Sequence, residues 1–585
     1  MLKRNNIFSL DGEWSFILDK DDSGGEKGYM MPNLDTSLWR IATIPGTFET
    51  AAQECIGYRG TVWFRKSFSY SADDELVWLE FLSVNYRADV YINGRQAGSH
   101  SGGYIPFRFE ISKYLVDGEN LLCVRVNGRV SHGMLPPSHF WRGHGGIIRS
   151  VLIYSTPSVF IENVKTVKKG NSLSVTTRIS NLSDETQGVS IVHTCFETDD
   201  SESDFVTVEP FAEAVSEVTL PVDNFTLWDT DNPVLYTLET RLASGLGNDN
   251  VTDYFGVRDI EAKNGRIFLN GKEITLHGVN RHEDSEKNQL ATDIENSERD
   301  FRLIKELNAN FVRFCHYPHS EEELYICDRL GLLVLSEIPL NATMVKIAEY
   351  DEEKTRKSLD ELYVNAKTAL VTMIERYFNH PSIIFWSVSN ETEEREKRIR
   401  DMNNALIRLA KKCDPSRFCT HVSQGCHWDG TFEIEEPLFS YDDVICINAY
   451  VTAEYYGKCI RDGAAEHAKE FWDRNLEKFS RLYPEKPVVV TEFGYPTDKI
   501  RDGIDDEERQ IEVLSYDIDA MDGRVSGYAV WHFADHAWEI TENGEVFFGA
   551  KISPYGLFTR KRAEKPSAEL IRNKYKLARN KHNLT

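Results

Sequence analysis

The sequence predicts a chain in three parts: a jelly-roll β-sandwich over 1–157, an immunoglobulin-like β-sandwich over 158–258 and a (β/α)8 TIM barrel over 259–585. Three observations predict it. The first 258 residues alternate strand-like runs with turn residues and hold few helical periods. After about residue 260 the texture changes to short apolar runs separated by longer amphipathic segments. Those apolar runs number eight, the count a closed parallel barrel needs.

Composition agrees and excludes several functions. A chain of 585 residues suits three or four domains, and 41% hydrophobic with 11% aromatic residues supplies several cores. The formal charge is -26, from 67 Lys plus Arg against 93 Asp plus Glu. Such a surface argues against nucleic-acid or membrane partners, which need basic stripes. The opening MLKRNNIFSLDGEW holds two basic residues but no following apolar run, so no signal peptide is read there. No run of 18 apolar residues occurs. Ten cysteines at irregular spacing, with no CxxC, predict reduced, buried thiols and a cytoplasmic location.

Along the chain, TVWFRKSFSY, LVWLEFLSV, ADVYINGRQAG and NLLCVRVNGRV read as strands of the first sandwich. The Asn-Gly steps in YINGR and RVNGR predict tight hairpins. The second sandwich is read from SLSVTTRISN, GVSIVHTCFE, AVSEVTLPV and LYTLETRLAS, with Pro157 and residues 229–233 as turn material. The barrel strands are ITLHGVN (274–280), NFVRFC (310–315), LLVLSEI (332–338), SIIFWSVSN (382–390), RFCTHVS (417–423), VICINAY (444–450), PVVVTEFG (487–494) and GYAVWHFAD (527–535). Amphipathic segments such as ERDFRLIKELNA and EERQIEVLSYDIDAM separate most of them. A doubly wound sheet is the structural rival, but no GxGxxG follows its first strand.

A barrel carries its site at the C-terminal ends of its strands. Those ends offer Asn280, Arg281, His282 and Glu283; His316; Glu337; Asn390 and Glu391; Asn448 and Tyr450; Glu492; and Trp531, His532 and Asp535. Carboxylates for proton work, amides for hydroxyls and aromatic faces for a ring suit a sugar. Glu391 and Glu492 are the sharpest pair. Retaining glycoside hydrolysis needs two carboxyls about 5–5.5 Å apart, one a nucleophile and one an acid then base. An inverting enzyme needs them more than about 6.5 Å apart.

The segments LDGEWSF, GGIIRSV (145–151), LNGKEITLHGVNRHED (269–284), VRFCHYP (312–318), NHPSIIFWSVSNE (379–391), VVVTEFG (488–494) and GLFTRKRAEKPSA (556–568) resemble glycoside hydrolase family 2, of β-glucuronidase and β-galactosidase type. The likeness covers almost the whole chain. It implies that Glu391 is the acid/base, Glu492 the nucleophile and Asn390 the contact to the sugar 2-hydroxyl. It implies that His316, Tyr450 and Trp531 line the glycone pocket; Asn448, from its place at the end of the sixth strand, is read as a further substrate contact. It implies no cofactor, and no cluster matches the metal sites of the galactosidase branch. A homodimer or tetramer follows by analogy.

The glycone is less plain. Family glucuronidases read the sugar carboxylate with an Asn-x-Lys pair ahead of the Gly-Leu/Ile-Phe-Thr-Arg segment. Ser553-Pro554-Tyr555 stands there in this chain, so the positive charge is missing. The loop at 539–551 lacks the family's arginine, and 137–146 shows His139, Phe140 and Arg142 instead of an aspartate. The first expectation is therefore a neutral glycone, a β-galactoside or a related pentoside, with Tyr555 as pocket wall. The alternative is a β-glucuronide or β-galacturonide read by Lys551, Arg142 or His144. A non-catalytic carbohydrate-binding protein would have lost Glu391 or Glu492, and both are present.

Four further features are read as follows. Arg281 to Asp284 form a structural network at the barrel mouth and not a metal site. His427-Trp428 and Tyr455-Tyr456 are loop aromatics, equally suited to an aglycone platform and to ordinary loop packing, and 341–359 is a long connection that shapes the aglycone side or an oligomer contact. The charged run 391–401 is a solvated helix face.

Overall fold

The computed structural model describes residues 3–71, 76–131, 133–137, 144–341, 352–424, 438–451, 463–497, 506–537 and 552–582. For 352–355, 506, 581 and 582 it describes the backbone alone.

The N-terminal sandwich packs a six-stranded antiparallel sheet on a four-stranded one. The larger sheet is built on Thr61–Tyr70 and Gly118–Asn127, which pair along ten residues. Trp14, Phe16, Phe64 and Val124 from this sheet meet Leu79, Phe81 and Ile153 from the other to form the core. Of the two Asn-Gly steps, only the first turns the chain. Asn93 and Gly94 sit at φ +52° and +81°, as a type I′ hairpin requires. Asn127 stays paired with Thr61 and Arg87, and the Gly128 N–H donates onward to the Gly60 carbonyl. There the glycine is needed for closeness: a Cβ would lie 3.1 Å from the Phe48 ring.

The second sandwich has a three-stranded sheet and a four-stranded sheet, closing on Val159, Ile161, Val175, Ile191, Leu238 and Val251. This seven-strand arrangement fits the immunoglobulin-like expectation.

The barrel closes from eight parallel strands: β1 (Leu276–Arg281), β2 (Phe311–Phe314), β3 (Leu333–Glu337), β4 (Ile383–Asn390), β5 (Phe418–Gln424), β6 (Ile445–Asn448), β7 (Val488–Phe493) and β8 (Gly527–Val530). All eight expected runs are strands, and β1 pairs with β8 through Leu276↔Gly527 and Val279↔Val530. The strands read as continuous apolar runs because both faces are covered. The outer faces pack on helices that include α1 (Ile294–Glu306), α2 (Glu321–Leu330), α3 (Glu352–Tyr377) and α4 (Lys397–Cys413).

A meander of Ile260–Lys263, Arg266–Leu269 and Lys272–Ile274 covers the N-terminal end of the barrel. Its Ile267 and Leu269 pack with Leu276, Phe311, Leu333, Ile384 and Val489, from the starts of the strands. Hydrocarbon seals that end, so the buried polar groups collect at the other.

The connection expected over 341–359 is shorter than predicted. Residues 352–359 are already helix α3, whose Leu359 and Leu362 face the core; 342–351 lie outside the described residues. Among the described residues no helix is long and apolar enough to cross a membrane. The eight described cysteines are free thiols.

Candidate active site

The site is organised by Arg313. Strand β2 reads FVRF, and Arg313 is its fully buried cation, pointing to the barrel axis. One guanidinium nitrogen donates to Glu492 Oε1 at 2.5 Å and to Asn280 Oδ1 at 3.0 Å. The other donates to both Glu337 oxygens at 3.0 Å and to Asn390 Oδ1 at 2.6 Å. Burial opposes this charge, but Glu337 and Glu492 outweigh it and hold the proton on.

Glu492 sits on β7, 4% exposed. Tyr450 Oη donates to its Oε2 at 2.7 Å, and His316 Nε2 lies 3.6 Å from its Oε1. Burial, with the Glu391 charge, outweighs Arg313 and Tyr450 and pushes this carboxyl up to about 8. His316 also touches Glu337, Nδ1 to Oε1 at 3.1 Å. Burial, then Arg313, holds its imidazole neutral.

Glu391 follows β4. The β4–β5 register shifts between Ser387 and Asn390, and Glu391 then adopts φ +48° while its N–H donates to the Val422 carbonyl. A left-handed glutamate costs of order 1–3 kcal/mol, a strain that concentrates at functional sites. Asn448 on β6 donates to Glu391 Oε1 at 2.8 Å and to Asn390 Oδ1 at 3.0 Å. Asn448 is itself fixed by Thr491 (2.8 Å), and Asn390 donates to Asn341 (2.8 Å). Burial raises the Glu391 carboxyl; Asn448 and Arg313 oppose it, and Glu394 and Glu337 reinforce it. A single polar chain, Glu391–Asn448–Asn390–Arg313–Glu492, thus joins the two carboxyls.

The aromatic wall stands beside it. The Trp531 ring lies 5.2 Å from that of His316 and packs with Cys315, Tyr450 and Tyr555. Tyr555 meets Tyr450 edge to face at 6.3 Å. Ser553 is buried 3.3 Å from His532 Nε2. Burial, helped by Lys565, pushes that imidazole down to about 3, so it adds no charge when the site is empty.

The structure thus brings together Glu391, Glu492, Asn390, His316, Asn448, Tyr450, Trp531 and Tyr555. Arg142 and Lys551 lie outside the described residues, as do His427-Trp428 and Tyr455-Tyr456. His144 does not supply the charge proposed for it: its Nδ1 pairs with Glu49 at 2.8 Å inside the first sandwich. Arg281 bridges Asp300 and Glu323, Glu283 takes Arg149, and Asp284 takes Arg560. Two buried trios, His282/Cys315/His316 and Glu283/His319/Glu323, have ligand atoms within 4.8 Å of one another. Neither suits a metal well. Burial drives the Cys315 thiol far up, and the carboxylates of the second trio already pair with arginines.

Sequence reasoning missed Arg313, although a charge inside an apolar strand was its signal. It also misread the run 391–401. Only from Lys397 is this helix; Thr392 and Glu394 are buried. Asn403 of α4 donates to Thr392 Oγ1 at 2.8 Å, and Glu394 accepts from Ser423 Oγ and lies 3.2 Å from His421 Nε2. His421 Nδ1 is 2.8 Å from Asp442. Burial opposes its charge, but Asp442 and Glu394 push His421 up to about 10. Because the folded value exceeds the ordinary 6.5, this proton stabilises the fold fully below about pH 6.5, and the contribution fades as pH rises through about 10. We expect the thermal midpoint to fall across that window, and less steeply in His421→Asn. Equal slopes in scanning calorimetry would refute the assignment.

Comparison with known proteins decides the family. The models for the family 2 sugar binding domain, the central family 2 domain and the family 2 TIM barrel domain match residues 7–157, 159–258 and 260–580.

The chain belongs to glycosyl hydrolase family 2.

This family 2 chain is 28% identical to a β-glucuronidase of Paenibacillus borealis, over 97% of this chain and 96% of that one. It is 27% identical to the β-glucuronidase of Mus musculus, over 97% and 90%. Among solved structures, a Lactobacillus rhamnosus β-glucuronidase superposes with a TM-score of 0.84 at 25% identity, covering 98% and 97%. A β-galacturonidase from Eisenbergiella tayi gives 0.83 at 21%, which speaks to the fold. The protein is a glycoside hydrolase.

Proposed function

We propose that this enzyme is a retaining exo-β-glycosidase that removes a terminal β-linked uronic acid. The observation that carries the catalytic half is the polar chain linking Glu391 to Glu492 across the barrel mouth. Both oxygens of Glu492 accept hydrogen bonds, from Arg313 and Tyr450, which favour the ionised form a nucleophile needs against the burial that raises this carboxyl. Burial favours the protonated form of Glu391, which suits an acid. In the first step Glu391 gives its proton to the glycosidic oxygen while Glu492 attacks the anomeric carbon, releasing the aglycone. In the second, Glu391 takes a proton from water, whose oxygen displaces Glu492 from the same carbon. Asn390 is suited to the sugar 2-hydroxyl, and Trp531 and Tyr555 to the walls of the glycone pocket. The free thiols fit a reducing cytoplasm.

Proton NMR of the first-formed sugar tests the stereochemistry. We expect the β-anomer; the α-anomer would make the enzyme inverting. Glu391→Gln should abolish hydrolysis of phenyl glycosides while sparing much of the glycosylation step with a dinitrophenyl leaving group, which departs without a proton.

Whole-length similarity to β-glucuronidases favours the uronide. The local motif favours a neutral sugar, because Ser553 and Tyr555 carry no charge and His532 is neutral. A panel of aryl β-glucuronide, galacturonide, galactoside and arabinoside separates the two. Charge-assisted contacts are worth about 2–5 kcal/mol, so the preference should span several decades in kcat/KM. If the galactoside leads, the neutral reading stands. Ser553→Asn with Tyr555→Lys should then gain glucuronide turnover, and no gain would mean that other pocket residues set the choice.

A further inference from the structure

We infer that Glu394, clamped by His421 and Ser423, is a positioning residue that holds Glu391 over the glycosidic oxygen. The inference rests on the acid/base role proposed above. Its basis is a buried ion pair lying three residues beyond Glu391 in the chain. Charged side chains are rarely buried unless paired. Here Glu394 is 8% exposed and His421 1% exposed. Removing the pair in favour of apolar groups would be the simpler way to build strand β5.

The geometry ties both ends of the Glu391 segment. Behind it, Asn390 is held by Arg313, Asn448 and Asn341. Ahead of it, Thr392 is held by Asn403, and Glu394 is held to β5 by Ser423 and His421. His421 is in turn fixed by Asp442, which accepts from its backbone N–H at 2.8 Å and lies 2.8 Å from Nδ1, and by the stacked Phe439 ring at 5.1 Å. The strained backbone at Glu391 therefore cannot relax without breaking one clamp or the other. Glu394 also acts through space. The charged groups acting on Glu391 are Arg313, Glu394, Glu337 and Glu492; those acting on His421 are Asp442 and Glu394. Glu394 is thus the negative neighbour of the acid/base on its own segment, and it helps to keep the acid protonated.

Glu394→Gln tests this, alongside Ser423→Ala as a milder disturbance of the same clamp and Glu391→Gln as the reference. The readout is kcat/KM against pH and against leaving group, on phenyl and dinitrophenyl glycosides of the preferred sugar. We expect Glu394→Gln to lose about 10²-fold on the phenyl substrate, the scale of a roughly 1 Å misplacement, and far less on the dinitrophenyl one. Its alkaline limb should move to lower pH, because a negative neighbour of Glu391 is gone. Ser423→Ala should show the same leaving-group pattern at smaller size. Equal losses on both substrates with an unmoved pH profile would make the pair purely structural and overturn the inference. If Glu394→Gln fails to fold, an unchanged leaving-group dependence in Ser423→Ala overturns it. If Glu391→Gln itself shows no leaving-group dependence, the acid/base assignment falls instead.

Discussion

Glu492→Gln is expected to lower kcat by on the order of 10⁴-fold or more while leaving the fold in place. In the role proposed for it, the Glu492 carboxylate forms the bond to the anomeric carbon, and an amide cannot replace it as a nucleophile. The amide keeps the size of the side chain and one acceptor oxygen, so Arg313 retains a partner there besides Glu337 and Asn390. Far-ultraviolet circular dichroism and the thermal midpoint should stay near wild type while turnover of every glycoside disappears. Retention of more than about one-tenth of the wild-type rate would remove Glu492 from the chemistry.

Arg313→Met has the second largest effect, and it strikes both stability and rate. Among the described residues Arg313 is the permanent cation contacting Glu337 and Glu492, both buried. Removing one partner of a buried ionic network costs about 3–5 kcal/mol, because the stranded carboxylates must protonate or draw in water. The barrel transition should therefore drop well below the wild-type midpoint. In the surviving fraction, Glu492 loses the group that opposes the effect of burial, so its proton is held to higher pH. The acid limb of the kcat/KM profile moves up, and the alkaline limb, set by Glu391, follows it, because Arg313 opposes burial at that carboxyl too. A variant with wild-type stability and an unmoved acid limb would show that Arg313 is not the counter-charge.

Period and spacing carried most of the fold. Eight apolar runs between amphipathic segments are legible because a parallel strand buried on both faces must be apolar throughout, and IIFWSVSN is buried at all eight positions. YINGR announced its hairpin because Asn and Gly tolerate positive φ; RVNGR carried the same two residues for a different reason, close packing on Phe48. Local chemistry was identical, and only the neighbour differed. The same holds for ETEEREKR. Its charges read as solvent-facing, yet Glu394 turns inward because β5 presents a histidine and a serine at the matching height. No pattern within the run encodes a partner 27 residues away.

From the chain alone came the three-part architecture, the strand ends and the two glutamates on β4 and β7, since each rests on periodicity or on residues adjacent in sequence. Contacts between distant segments were left to the folded molecule: Arg313 spanning four strands, Asn448 linking Glu391 to Asn390, His144 committed to Glu49, and Glu394 held by His421. The physical reason is that a charge inside a protein is governed by the groups within a few ångströms of it, and folding sets those distances across 27 to 179 residues of chain.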